Sequence, residues 1–230
     1  MRNTTANVNA IKKVAHALGD LNGEVVYVGG AVISLYIDDP AAEDVRPTKD
    51  VDIALNIASL RALEALRIDL TNKDFKQTAE DGVMCRFRFD DVKVDVMGTK
   101  EVGWAPANEW FAPGLARAEE VVIDGTKIRI LPLAFFLASK FSAFHSRSGE
   151  DVRTSSDLED ITYLLDNTTK LVDIILSSPE VVRSFLQKEF TEIKNGDSLK
   201  EGILGNLSYQ TRNERFKMIV EKFNSICKET

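Results

Sequence analysis

Apolar and polar positions change rhythm along this chain, and the changes divide it. Between residues 5 and 19, Val8, Ile11, Val14, Ala15 and Leu18 recur at helical spacing, and Gly19 in GDLNG closes that pattern. EVVYV (24–28) is a short apolar run that predicts a strand; Gly29 and Gly30 follow, and AVISLYI (31–37) reads as the start of a helix. A polar loop with two prolines, DDPAAEDVRP, leads to a second strand, DVDIAL, and then to a helix over 59–70 with Ser59 as its N-cap. In residues 83–97, VMCRFRFDDVKVDVM, Cys85, Phe87 and Phe89 alternate with Arg86 and Arg88; after an Asp90-Asp91 turn Val92, Val94 and Val96 alternate with Lys93, Asp95 and Met97. That is a hairpin pattern. EEVVIDGTKIRIL predicts a second hairpin around Asp124-Gly125.

After Pro132 the period becomes helical. PLAFFLASKFSAFHSR runs without a breaker to Gly149, and SSDLEDITYLLDN opens on Ser155 and Ser156 as caps with acidic residues in its first turn. Helical stretches continue to the end, with breaks at Ser178-Pro179, Asn195-Gly196 and Gly205-Asn206. The pattern predicts an α+β fold: a mixed sheet with helices over residues 1–131, then a helical region over 132–230 packed against it.

Composition narrows the classes. The chain has 230 residues, 44% of them hydrophobic and 28% charged, an ordinary globular balance. The longest apolar runs are too short to span a bilayer, so no membrane partner is expected. The first twenty residues hold no continuous apolar segment of the kind a signal peptide needs. Cys85 and Cys227 stand far apart, which suits a reducing cytoplasm better than a disulfide framework, and two histidines, His16 and His145, argue against a His-rich zinc site. A net charge of −7 argues against a surface basic throughout, as a general nucleic-acid binder would carry, and is compatible with a cluster of carboxylates around a metal.

The candidate chemistry sits on the strands. Asp50 and Asp52 share one face of DVDIAL, opposite Val51, Ile53 and Leu55, and Asp95 faces away from Val94 and Val96. If these strands are neighbours, three carboxylates converge on one end of a sheet, and a divalent cation with oxygen ligands relieves their repulsion. Read alone, D-x-D also fits solvated strand ends paired with Arg46, Lys49 or Lys93. Gly29-Gly30, between a strand and a helix start, lets backbone N–H groups approach a phosphate, with Ser34 adding a hydroxyl; it also fits a tight turn that needs positive φ.

The order strand, Gly-Gly, helix, loop, strand with D-x-D, then hairpin with a third Asp resembles the DNA polymerase β-type nucleotidyltransferase superfamily. The resemblance implies a nucleotidyltransferase-type sheet, Gly29 and Gly30 as the turn that holds a nucleoside triphosphate, and Asp50, Asp52 and Asp95 as ligands of Mg2+ or Mn2+. Further on, SKFSAFHSRSGEDVRTSSDLEDITYLL is similar to the C-terminal signature of the AbiEii/AbiGii-type nucleotidyltransferases, toxins of bacterial toxin–antitoxin or phage-defence pairs. Lys140 would then contact the triphosphate, with Arg147 beside it and Asp157 or Asp160 orienting them; read as residues alone, Lys140 and Arg147 equally fit a solvated helix face. The chain departs from that pattern where SGE separates Arg147 from Asp151.

The function this implies is Mg2+-dependent transfer of NMP from an NTP to a hydroxyl acceptor, RNA such as a tRNA 3′ end, with an antitoxin protein as an open further partner. Aminoglycoside and lincosamide nucleotidyltransferases share the Gly-Gly and D-x-D design, which leaves a small-molecule acceptor as one alternative and a non-catalytic binding module as another. Trp104, Trp110 and Phe111 read as core packing rather than a base-stacking platform, and His145 receives no catalytic role. Residues 168–230 resemble nothing specific.

Overall fold

A computed structural model describes residues 2–48, 50–147 and 151–228. Lys49, considered above as a partner of the aspartates, and Gly149, expected to end a helix, lie outside them. The chain divides into two compact units: Met1–Ser34 with Glu43–Pro132, and Leu35–Ala42 with Leu133–Thr230. The segment Leu35–Ala42 therefore belongs with the helical part, which alternation alone did not indicate.

The first unit holds a six-stranded mixed sheet. Its strands are β1 (Val26–Val28), β2 (Asp50–Leu55), β3 (Arg86–Phe89), β4 (Val92–Gly98), β5 (Glu119–Ile123) and β6 (Thr126–Ile130), in the order β3-β4-β2-β1-β6-β5. β1 runs antiparallel to β2 and parallel to β6, while β2 runs parallel to β4. The two hairpins are β3–β4 and β5–β6. Asp124 and Gly125 both have positive φ (46° and 83°), as the tight turn of the second hairpin requires.

Helix α1 (Arg2–Leu18) buries Ile11, Val14 and Leu18 and lies against β2, β4 and β6. Helix α2 (Leu60–Asn72) starts where the Ser59 hydroxyl accepts the Ala62 N–H, and buries Leu63, Leu66 and Leu70. A five-residue helix α3 (Phe111–Leu115) was not legible, because Pro113 and Gly114 read as a loop. Residues Gly30–Tyr36, expected as the start of an α-helix, form a tighter 3-10 turn. Trp104 packs on Phe87 at 5.7 Å and donates to Glu64, and Trp110 and Phe111 are buried.

The second unit contains α4 (Leu133–Ser146), α5 (Ser156–Asn167), α6 (Leu171–Leu176), α7 (Glu180–Asn195), α8 (Asp197–Asn206) and α9 (Arg212–Cys227). Residues Leu133–Phe141 are buried without interruption, so α4 is the central helix of its unit. Pro179, Gly196 and Gly205-Asn206 mark helix boundaries as expected, the last pair at the end of α8. Tyr36 stacks on Phe136, and the Asp38 carboxylate accepts the N–H groups of Thr169 and Lys170 just before α6. Among the described residues, no helix is long and apolar enough to cross a membrane.

Two polar devices finish these units and are open to direct test. The first is a long-range cap: the Asp44 carboxylate accepts the backbone N–H groups of Asn3 (2.7 Å) and Thr4 (3.0 Å), orphan donors of the first turn of α1. Desolvation opposes ionisation of Asp44, but these bonds outweigh it and bring its pKa from 3.8 down to about 2. Because the folded value is the lower one, the cap contributes in full above pH 3.8 and is lost as pH falls toward 2. Asp44→Asn should therefore lower Tm at pH 7, and its deficit relative to wild type should shrink as thermal melts are taken from pH 5 to pH ~2.

The second is Lys222 of α9, whose Nζ donates to the carbonyls of Leu165 (2.7 Å), Asp166 (3.2 Å) and Thr168 (3.0 Å) at the end of α5. Burial pulls its pKa below the usual lysine range. Lys222→Met keeps the stem and strips those carbonyls of their donor, which should cost about 1–3 kcal/mol in urea denaturation at pH 7.

Candidate functional site at the end of the sheet

The alternation of β2 and β4 decides where their carboxylates go. Val51, Ile53, Val94 and Val96 are essentially inaccessible on the buried side, so Asp50, Asp52 and Asp95 take the other face. Strand register then gathers them. Asp52 is the direct partner of Asp95 across the parallel β2–β4 pair, and Asp50 is the partner of Lys93. Neighbouring strands lie about 4.8 Å apart, so like charge is crowded there.

The structure supplies a counter-charge that the sequence reading passed over. Arg86 on β3 stands opposite Asp95 in the hairpin register. Its Nε donates to Asp95 Oδ1 at 2.7 Å and its Nη2 to Asp95 Oδ2 at 2.6 Å, a bidentate pair, while Nη2 also reaches Asp50 Oδ2 at 3.3 Å. The side chains of Arg86 and Asp95 are 17% and 11% exposed, so water screens this pair little. The bond to Asp95 raises the Arg86 pKa further above its ordinary value. Asp50 also accepts the Thr48 hydroxyl at 2.9 Å. The position of Arg86 was countable: stepping outward from the Asp90-Asp91 turn pairs Phe89 with Val92, Arg88 with Lys93, Phe87 with Val94 and Arg86 with Asp95.

The glycine turn closes the same site. Val28 at the end of β1 pairs with Asp52, so Gly29 emerges directly beside that carboxylate. Gly29 has φ +73°, and a Cβ placed there would overlap the Asp52 carboxyl group. A Cβ at Gly30 would lie 2.8 Å from Arg46 Nη2. Gly29 is thus required by close approach and by its backbone, whereas at Gly30 the neighbour is the mobile end of the Arg46 side chain. A few residues on, the Ser34 Oγ is buried and has no hydrogen-bond partner among the described residues.

The other candidates lie in the helical unit. Lys140 Nζ donates to Asp157 Oδ1 at 3.3 Å and Asp160 Oδ2 at 2.8 Å, and Arg147 Nη1 donates to Asp157 Oδ2 at 2.5 Å. Lys140, Asp157 and Asp160 are all buried, so this is a compact arrangement of two cations and two carboxylates. Each charge there has a partner of opposite sign, as burial demands.

As a donor set, three carboxylates on one sheet face fit a hard divalent cation such as Mg2+. Asp50, Asp52 and Asp95 would hold it, beside the Gly29-Gly30 turn and the buried Ser34 Oγ, after a rotation of these side chains, whose ligand oxygens do not all lie within 4.8 Å of one another as placed. Arg86 now provides the positive charge that such an ion would bring. This generates a test. Arg86→Ala should lower stability by roughly 3–5 kcal/mol in EDTA, because it strands the Asp95 carboxylate. Added Mg2+ should restore part of that loss in Arg86→Ala and change wild type much less, as read by thermal unfolding at matched ionic strength.

No protein-family model matches the sequence, and comparison with curated proteins finds no match. Among solved structures, the fold is similar to an antigenic nucleotidyltransferase-like protein from Paracoccidioides brasiliensis, at 16% identity and a TM-score of 0.49, over 90% of this chain and 96% of that one. It is also similar to the antibiotic-resistance factor ANT(2'')-Ia, at 14% identity and a TM-score of 0.48, over 83% of this chain and 96% of that one. Likeness at this level does not assign chemistry to the chain.

Proposed function

We propose that this protein is a nucleotidyltransferase that moves NMP from an NTP to a hydroxyl acceptor with release of pyrophosphate. The observation that carries the reading is the fit of the Gly29 turn onto Asp52, in register with Asp95 and beside Asp50. A backbone without side chains approaches the Asp52 carboxylate, whose strand neighbours are Asp50 and Asp95, and a triphosphate bound through a divalent ion needs backbone donors beside carboxylates.

In this mechanism Gly29, Gly30 and Ser34 hold the terminal phosphates. Asp50, Asp52 and Asp95 would hold Mg2+ or Mn2+, which would supply neutralising charge at the α-phosphate. Asp95 accepts the acceptor hydroxyl proton: Arg86 fixes its carboxylate while each oxygen keeps a lone pair. The acceptor oxygen bonds to the α-phosphorus, the bond from that phosphorus to the bridging oxygen breaks, and pyrophosphate leaves with the electron pair. Lys140, Arg147, Asp157 and Asp160 pair with one another inside the helical unit, and no step of this mechanism uses them.

The acceptor we propose is RNA, a tRNA 3′ end in particular, with growth inhibition in the cytoplasm as the outcome and an antitoxin as partner. The net charge of −7 favours a second reading, a small-molecule acceptor of the antibiotic kind.

The deciding assay is transfer of label from each α-labelled NTP to total RNA in Mg2+, comparing wild type with Asp50→Ala/Asp52→Ala. Labelled RNA that disappears in the double variant is expected, with loss of about a hundredfold or more in rate. Label that instead appears on an added aminoglycoside moves the assignment to the second reading. Absence of transfer to either acceptor, with the folded protein also failing to bind NTP, overturns the enzymatic reading.

A further inference from the structure

The helical unit carries a second group of metal-type donors, of a different chemistry. His145 lies in the last turn of α4, and Glu189 and Glu192 are three residues apart on α7 and so share a face. One ligand atom from each lies within 4.8 Å of the others, and among the described residues this is the group of three that does so. His145 Nε2 is 2.8 Å from Glu189 Oε2.

Burial of Glu189 needs an explanation. The residue is 3% exposed, and a carboxylate is expensive to bury unless a positive or donor group meets it. Among the described residues its partner is His145, itself half-exposed. Glu192 is half-exposed and held only loosely, with Lys188 Nζ at 3.8 Å. The cluster thus has a buried anchor, an open side and a movable third ligand. The helices that carry it are fixed by apolar contacts, Phe141 against Phe190 and Phe190 stacked on Phe223.

From this geometry we infer that His145, Glu189 and Glu192 form a binding site for a borderline divalent transition ion of the Zn2+ class, which staples α4 to α7. One imidazole with two carboxylates suits Zn2+ and its neighbours, whereas Mg2+ prefers oxygen alone. At bond lengths of ~2.0–2.1 Å, tetrahedral ligands lie about 3.3 Å apart. Binding therefore opens the His145–Glu189 contact slightly and draws Glu192 in from Lys188, with water at the remaining position. His145 would coordinate through Nε2 as the neutral ring, with its proton on Nδ1. The inference is independent of the chemistry proposed at the sheet.

The test uses the chelator-treated full chain in excess Mg2+, which occupies sites made of oxygen alone. Zn2+ is titrated by calorimetry into wild type, His145→Ala, Glu192→Gln and Asp50→Ala/Asp52→Ala, and Co2+ is followed by its visible absorption. One Zn2+ per chain is expected in wild type and in the aspartate double variant. Affinity should fall by roughly tenfold or more in His145→Ala and Glu192→Gln. Glu192→Gln alters an exposed side chain, so it separates loss of a ligand from loss of fold. No uptake of Zn2+ by wild type, or unchanged affinity in both variants, overturns the proposal and leaves His145–Glu189 as an ion pair only.

Discussion

Like charge crowded onto one end of a sheet is the constraint around which the first unit is arranged. Val51, Ile53, Val94 and Val96 must be buried, and the period of two in a strand then sends Asp50, Asp52 and Asp95 to the other face. A slip of one residue in β2 would exchange those sets and place carboxylates in the core. The register is therefore strongly specified, and its by-product is an electrostatic problem. Arg86 answers it with a bidentate pair to Asp95 and a longer bond to Asp50. Such a pair gains little net stability against an apolar alternative, since desolvation offsets attraction. Its retention is better explained by what it does to the carboxylates: it holds them oriented at a position that a divalent ion could share.

The glycine turn and the aspartates are one object rather than two motifs. Gly29 follows the residue paired with Asp52, has positive φ, and leaves no volume for a Cβ beside that carboxyl group. The close approach of β1 to β2 at this point exists because a side chain is missing. The same missing side chain brings backbone against a carboxylate, an arrangement with no evident packing benefit. A tight turn alone would not need to be aimed at an aspartate.

Much of this was legible from alternation and punctuation. Both hairpins, the D-x-D strand, and the Ser59 and Ser155 caps follow from side-chain period and local hydrogen bonding, which act over a few residues. What was missed depends on longer range or on finer geometry. Arg86 was read as one polar member of an alternating strand, although its partner could be counted from the turn. The 3-10 form of Gly30–Tyr36 is not distinguished from an α-helix start by its apolar pattern. The assignment of Leu35–Ala42 to the helical unit rests on Tyr36 against Phe136 and on Asp38 meeting Thr169, contacts about a hundred residues or more apart in sequence. His145 and Glu189 are 44 residues apart on different helices, and no local pattern pairs them.

Net charge is a poor guide to a site assembled this way. The chain as a whole carries −7, which by itself speaks against a polyanionic substrate. At the sheet end, however, the charge is local and mixed: Arg86 is paired with Asp95 and Asp50, and Arg46 lies against Gly30, so a phosphate there would need a divalent ion to meet the aspartates. Short-range fields of this kind outweigh a distributed surplus of surface carboxylates, whose influence fades over a Debye length of about 8 Å at physiological salt. For the proposed reaction, the acidity of the surface therefore bears on how an acceptor would arrive rather than on the local charge around the carboxylates.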